Sequence, residues 1–340
     1  LDSDGVDVEG TSGGTTIIQN EKWTNKTSAD VNVVYTITPL GAVGCTADPE
    51  TVTVTVKPEP DLAPASANVC SDVISGISLS IANAGAAIGA VTYTVTSIVD
   101  NGLLDSDGVD VEGTSGTATV IQNEKWTNKT NADVNVVYTI TPQGSNGCTG
   151  DPETVTVTVK PEPDLSPASA NVCSDVISGI DLSIANAGAA IGAVTYTVTS
   201  IVDNGLLDSD GVDVEGTSGG STIIQNEKWT NKTSADVNVV YTITPQGAVG
   251  CTGDPETVTV TVKPEADLSP ASANVCSDAI SGISLSIANP GAAVGAVTYT
   301  VTSIVDNGLL DSDGVDVEGT SGGTTIIQNE KWTNKTSADV

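Results

Sequence analysis

Val134-Asn-Val-Val-Tyr-Thr-Ile-Thr-Pro142 and, after a short break, Thr154-Val-Thr-Val-Thr-Val159 are the two segments that decide the fold. In the first, Val134, Val136, Tyr138 and Ile140 alternate with residues of the opposite face. In the second, Val155, Val157 and Val159 alternate with threonines. A period of two marks strands with one buried face, and Pro142 is expected to end the first of them. Upstream, Ile77, Leu79 and Ile81 alternate in the same way, and Val91-Thr-Tyr-Thr-Val-Thr-Ser-Ile98 is a further strand. Asn101-Gly102 and Asp107-Gly108 are turn signals. A short piece at Val109-Asp-Val111 and another at Thr119-Val-Ile-Gln122, leading into Trp126, complete the pattern. About seven short strands in roughly 100 residues, with turns between them, predict an immunoglobulin-like β-sandwich.

The same pattern returns every 103 residues. Leu1-Asp-Ser-Asp-Gly-Val-Asp-Val-Glu9 recurs at Leu104, Leu207 and Leu310, and the first two copies differ at only ten of 103 positions, among them Leu40 against Gln143 and Ser78 against Asp181. A period that long, holding a complete hydrophobic pattern, is an array of globular domains rather than a solenoid. Lys57-Pro-Glu-Pro60 and Lys160-Pro-Glu-Pro163 read as extended, semi-rigid linkers. They divide the chain into 1–60, the C-terminal part of one repeat, two complete repeats at 61–163 and 164–266, and 267–340, the N-terminal part of another. The 340 residues thus read as a window onto a longer mature protein, with no initiator Met, signal peptide or hydrophobic span in view.

Composition narrows the class further. The formal charge is −32, from eleven Lys and 43 acidic residues, with no His. Such acidity disfavours nucleic acid and anionic membranes, and no segment is apolar enough for direct membrane insertion. Thr and Val dominate while Met and Phe are absent, which predicts an all-β chain. The six cysteines, two per period and without a CxxC pair, point to disulfides and an oxidising, extracellular compartment.

The sandwich layout predicts which cysteines pair. If the chain enters a domain at the end where the last hairpin turns, Cys70 and Cys148 are neighbours, as are Cys173 and Cys251. Cys45 and Cys276 then have partners outside this window. A loop of that size would contribute on the order of 4 kcal/mol by restricting the unfolded chain.

Val69-Cys70-Ser71, Val111-Glu-Gly113, Ile121-Gln122, Thr127-Asn128, Tyr138-Thr-Ile-Thr-Pro142, Gly147-Cys-Thr-Gly150 and Val155-Thr-Val-Thr-Val-Lys-Pro161 occur in an order that resembles the PKD-like repeat. That family occurs in very large bacterial surface proteins, many exported by type IX secretion. The resemblance covers nearly the whole unit and implies an immunoglobulin-like fold, a structural or adhesive role and no catalytic residues. Two departures stand out. The Trp-Asp-Phe-Gly-Asp-Gly type motif of ordinary PKD domains is absent, and the acidic Asp105-Ser-Asp-Gly-Val-Asp-Val-Glu112 insert is not part of the family pattern, so the resemblance implies nothing for it; the last Gly of the motif is not strict, being Ala47 in the first copy.

The acidic insert is the sharpest chemical candidate. Asp105, Asp107, Asp110 and Glu112, repeated as Asp208, Asp210, Asp213 and Glu215, are hard oxygen donors of the kind that capture Ca²⁺. The spacing is not that of an EF-hand, and a solvated acidic hairpin explains it equally well. Trp126, between Lys125 and Lys129, reads as core before it reads as a carbohydrate platform, and Tyr93 and Tyr138 read as core. Asn25, Asn128, Asn231 and Asn334 each begin an Asn-Lys-Thr glycosylation sequon.

With no His, no Arg and each carboxylate cluster in a repeated turn, catalysis is the weakest class. The leading expectation is a rod or filament whose partners are other copies of the same repeat. An adhesin that meets glycans through its loops is the second, an accessory module of a secreted enzyme the third. Strand exchange between subunits would also account for repeats that start and stop in mid-pattern.

Overall fold

The computed structural model describes residues 1–3, 8–106, 111–209, 214–306, 308–312 and 317–339. All regular structure among them is β-strand, with no helix. Contacts divide the chain into two compact units. The first is Leu1–Asp164 with Asn186–Ala193 and Gly247–Thr252; the second is Leu165–Ala185, Val194–Gln246 and Gly253–Val340.

In the first unit the copy at 61–163 forms β1 (Ser66–Cys70), β2 (Val91–Val99), β3 (Asp105–Ser106), β4 (Ser115–Gly116), β5 (Trp126–Thr127), β6 (Val134–Gly144) and β7 (Glu153–Lys160). Five of them make one sheet in the order β1-β7-β6-β2-β4. The β6–β7 hairpin sets Tyr138 opposite Val155, and a bulge at Thr139/Ile140 interrupts the β6–β2 ladder. β1 lies parallel to β7, with Ser66 opposite Thr156 and Cys70 opposite Lys160. β3 and β5 form a separate antiparallel pair. In the next copy, Ser169–Cys173, Val194–Val202, Ser218–Gly219, Val237–Gly247 and Glu256–Lys263 form a sheet of the same order.

The predicted alternation is the burial pattern of this sheet. Val136, Tyr138, Ile140, Val155, Val157 and Val159 are fully buried, while the threonines between the valines of β7 are half-exposed. Burying each such side chain contributes about 1.5–3 kcal/mol. Leu62, Ile77, Leu79, Leu104, Ile121 and Trp126 cover this face. Trp126 Nε1–H donates to Tyr138 Oη at 2.8 Å inside the core, so the one polar tip satisfies the other.

Three expectations about strands change. Ile77 and Leu79 are buried at alternate positions, yet their segment is held by single contacts such as Leu79 N–H to Ala118 O (2.8 Å) and the Leu62–Ile81 bridge rather than by a ladder. Thr119–Gln122 is a run of tight turns, with Val120 N–H on Thr117 O and Gln122 N–H on Thr119 O, which still drives Ile121 into the core. Pro142 does not end β6; it lies opposite Tyr93 of β2. Its carbonyl accepts from Gly150 N–H (2.9 Å), so its nitrogen faces the side where the β7 ladder has already stopped at Ile140–Glu153, and no donor is missed.

Asn101 and Gly102, between β2 and β3, both have positive φ (60° and 67°), as a type I′ turn requires, although the two strands it joins pair with other partners.

Candidate functional site

Among the described residues, an extended polar network lies where one copy meets the next. Pro58 and Pro60 are buried, so the linker is a packed segment rather than a solvated spacer. Glu59 N–H donates to Asn25 O at 2.9 Å, and Asp61 N–H donates to Asn83 Oδ1 at 2.9 Å. The amide nitrogen of Asn83 reaches back to three carbonyls of the preceding copy: Lys26 O (2.9 Å), Thr27 O (3.1 Å) and Glu59 O (2.8 Å). Its two hydrogens are shared among three acceptors. Asn146 Nδ2 adds a bond to Pro58 O at 2.8 Å.

Two features explain why these carbonyls are on offer. Asn128, fully buried, donates to Ala132 O (3.0 Å) and Val159 O (2.8 Å) and accepts from Thr130 N–H (3.0 Å) and Thr130 Oγ1–H (2.7 Å). That Asx turn folds the Asn-Lys-Thr loop so that the Lys129 and Thr130 carbonyls face outward. Asn186 then binds them at 3.1 and 3.0 Å, with Glu162 O at 2.8 Å, and accepts Asp164 N–H at 2.9 Å, all within the first unit. In the second unit Asn289 does the same with Lys232 O (3.2 Å), Thr233 O (2.9 Å) and Glu265 O (2.7 Å). The second feature is close approach. A Cβ on Gly85 would lie 2.4 Å from Ser28 O, and one on Gly188 would lie 2.5 Å from Asn131 O.

Charge completes the joint. Lys26 Nζ lies 3.0 Å from Asp151 and 3.6 Å from Asp61. The hydrogen bond to Asp151 raises the Lys26 ammonium above its ordinary value, against a smaller lowering by burial. Burial first, then the Asp151 charge, raises the Glu59 carboxyl. Burial likewise raises Glu153.

The disulfide differs from the expected pairs. Cys70 is bonded to Cys251, 181 residues on, with Cα atoms 5.3 Å apart, and Cys45, Cys148, Cys173 and Cys276 are thiols. The expected Cys70–Cys148 and Cys173–Cys251 pairs are therefore not formed. The chain does enter a copy beside the last hairpin, since a Cβ on Gly150 would meet Pro60 O. However, β1 then runs parallel to β7, and by Cys70 the chain has crossed to the end where Lys160 leaves. Cys148, before the start of β7, is separated from it by the length of that strand, about 25 Å at ~3.3 Å per residue. Cys251 sits in the last hairpin of the following copy, within the first unit, and so meets Cys70 across the joint.

The other sequence candidates divide. Asp105, Glu112, Asp208 and Glu215 are exposed, while Asp107, Asp110, Asp210 and Asp213 lie outside the described residues. Beside the insert, Asp203, Ser209, Glu215, Glu227 and Trp229 line a cleft of about 190 Å³. The sequon asparagines Asn25, Asn128 and Asn231 are buried and engaged through their amides, which leaves no nitrogen for a glycan. Asn83, Asn186 and Asn289 were not singled out by the sequence. An Asn in a loop reads as a turn residue, and its acceptors lie 56 and 57 residues upstream.

No curated protein matches the chain. Among solved structures it is similar to Drosophila N-cadherin EC1-3 (14% identity, 75% of this chain and 95% of that one, TM-score 0.20). It is also similar to the chicken CNTN1 FN1-FN3 domains (10% identity, 68% and 75%, TM-score 0.24). A third is the Bacteroides ovatus mixed-linkage glucan utilization locus protein SGBP-B (17% identity, 81% and 61%, TM-score 0.19). Scores this low decide nothing about partner or activity. The profile of the PKD-like domain, by contrast, matches three successive stretches, 2–60, 104–163 and 206–266, together more than half of the chain. With the all-β sandwich and the repeat of 103 residues, this settles the family: the chain is a tandem array belonging to the PKD-like domain family.

Proposed function

We propose that this chain is a structural repeat segment of a long extracellular fibre or stalk on a bacterial surface, with no catalysis of its own. The observation that carries the reading is the joint: an Asn at residue 83, 186 and 289 binds three carbonyls of the copy before it each time. A chain of domains on free linkers has no use for such a device. A spacer that must hold its length does, because every bond withdraws conformational freedom from the linker. The cystine fits an oxidising compartment, and the charge of −32 keeps long arrays apart in solution.

The adhesin reading is favoured by the acidic cleft beside the insert, which recurs at Asp306, Glu318, Glu330 and Trp332. Two measurements on the full chain separate the readings. Small-angle scattering should give a maximum dimension that is unchanged between low and high salt, as for a stiff spacer. Exposure to glycan panels and to mineral and plastic surfaces should show no saturable binding. A chain that collapses and swells with salt would overturn the spacer, and saturable binding would transfer the function to the loops.

A further inference from the structure

The Cys70–Cys251 bond joins a cysteine of the Asn-Val-Cys-Ser type to one of the Gly-Cys-Thr type in the following copy, 181 residues on. Cys173 and Cys276 stand at the place of Cys70 in later copies, and Cys45 and Cys148 at the place of Cys251 in earlier ones. None of these four has a cysteine 181 positions away within these 340 residues, and all four are thiols. The frame that brings Cys70 to Cys251 is the joint itself. Its hydrogen bonds are repeated by Asn83, Asn186 and Asn289 at distances that agree within 0.4 Å. Within one copy the two cysteine types are held apart by the length of β7.

We propose that Cys45, Cys148, Cys173 and Cys276 are halves of this same bond, each partnered by a cysteine 181 positions away in a further copy of this repeat. Every copy is then tied covalently to the one before it and the one after it. Each bond forms by thiol–disulfide exchange. One thiolate attacks the disulfide of an oxidant, such as glutathione disulfide or a dithiol–disulfide oxidoreductase. The second thiolate of the joint then displaces the oxidant from the mixed disulfide. Two cysteine thiols lose two electrons and two protons, and the oxidant leaves as two thiols.

The test extends the full chain by one period, appending a second copy of residues 32–134 after Val340, which continues the repeat in phase. Both chains are oxidised with glutathione and glutathione disulfide, alkylated without reduction, digested and mapped by mass spectrometry. In the 340-residue chain Cys173 should be alkylated and Cys70 linked to Cys251. In the extended chain Cys173 should lose its alkylation and appear linked to the added copy of Cys45. Continued alkylation of Cys173 while Cys70–Cys251 forms would overturn the proposal. A Cys70→Ser variant of the 340-residue chain checks selectivity independently of the extension. Alkylation of Cys251 supports the 181-residue register, and capture of Cys251 by Cys148 or Cys173 would refute it.

Discussion

Two asparagines per copy carry the joint, and each does so through chemistry that a near-isostere cannot supply. Asn128 donates two amide hydrogens to carbonyls in the fully buried interior. Asn128→Asp would replace the Nδ2 that makes both bonds by a carboxylate oxygen facing those carbonyls. The expected cost is about 3 kcal/mol or more, read as a lowered urea midpoint for the affected copy. Asn186→Ala leaves the core intact but removes the acceptor of Asp164 N–H. Hydrogen exchange at that amide should accelerate by at least tenfold, while amides of β6 and β7 keep their protection. Equal acceleration in both regions would mean that Asn186 supports the fold rather than the joint.

At the scale of elements, the joint depends on glycines that allow backbone to meet backbone. Gly188→Ala would place a methyl group 2.5 Å from Asn131 O, so the loop has to retreat. The measurement is the rate at which Cys70–Cys251 re-forms after reduction, expected to fall several-fold while the unfolding free energy changes by less than about 1 kcal/mol. The contrast between legible and illegible parts of the sequence has the same origin. β6 and β7 could be read directly, because alternate burial of Val134 to Ile140 and Val155 to Val159 is written along one strand. The 77–81 segment shows the limit: its burial was legible, whereas its lack of a ladder depends on neighbours far along the chain. The disulfide is not legible in the sequence for one reason. No local signal states whether β1 runs parallel or antiparallel to β7, and that direction alone decides which end Cys70 reaches.

The whole molecule carries a pH dependence of definite sign. Burial raises the Glu59 and Glu153 carboxyls above their ordinary range, so the folded state holds protons there more strongly than the unfolded chain does. Stability is therefore greatest below the ordinary carboxylate range and is lost as pH rises through the raised values. The thermal midpoint of the full chain should climb as pH falls from neutral into the ordinary carboxylate range, and should do so at high salt, where the repulsion of a −32 chain is screened. At the alkaline end, burial pushes Tyr241 up to about 12. Stability should fall as pH rises from the ordinary tyrosine range through that value, and calorimetry over the two ranges checks both signs.

The bond between Cys70 and Cys251 also decides how the chain bears tension. A pull on its two ends takes the shorter covalent route, out of β1, across the sulfurs and into the following copy, and the residues between the two cysteines hang as a slack loop. Unfolding the sheets inside that loop then adds no length. In optical tweezers, reductant should raise the length released on full unfolding by about 600 Å, the span of 181 residues at ~3.4 Å each. A plain string of domains yields under load and absorbs shock; a string bridged in this way behaves as a tether that holds taut.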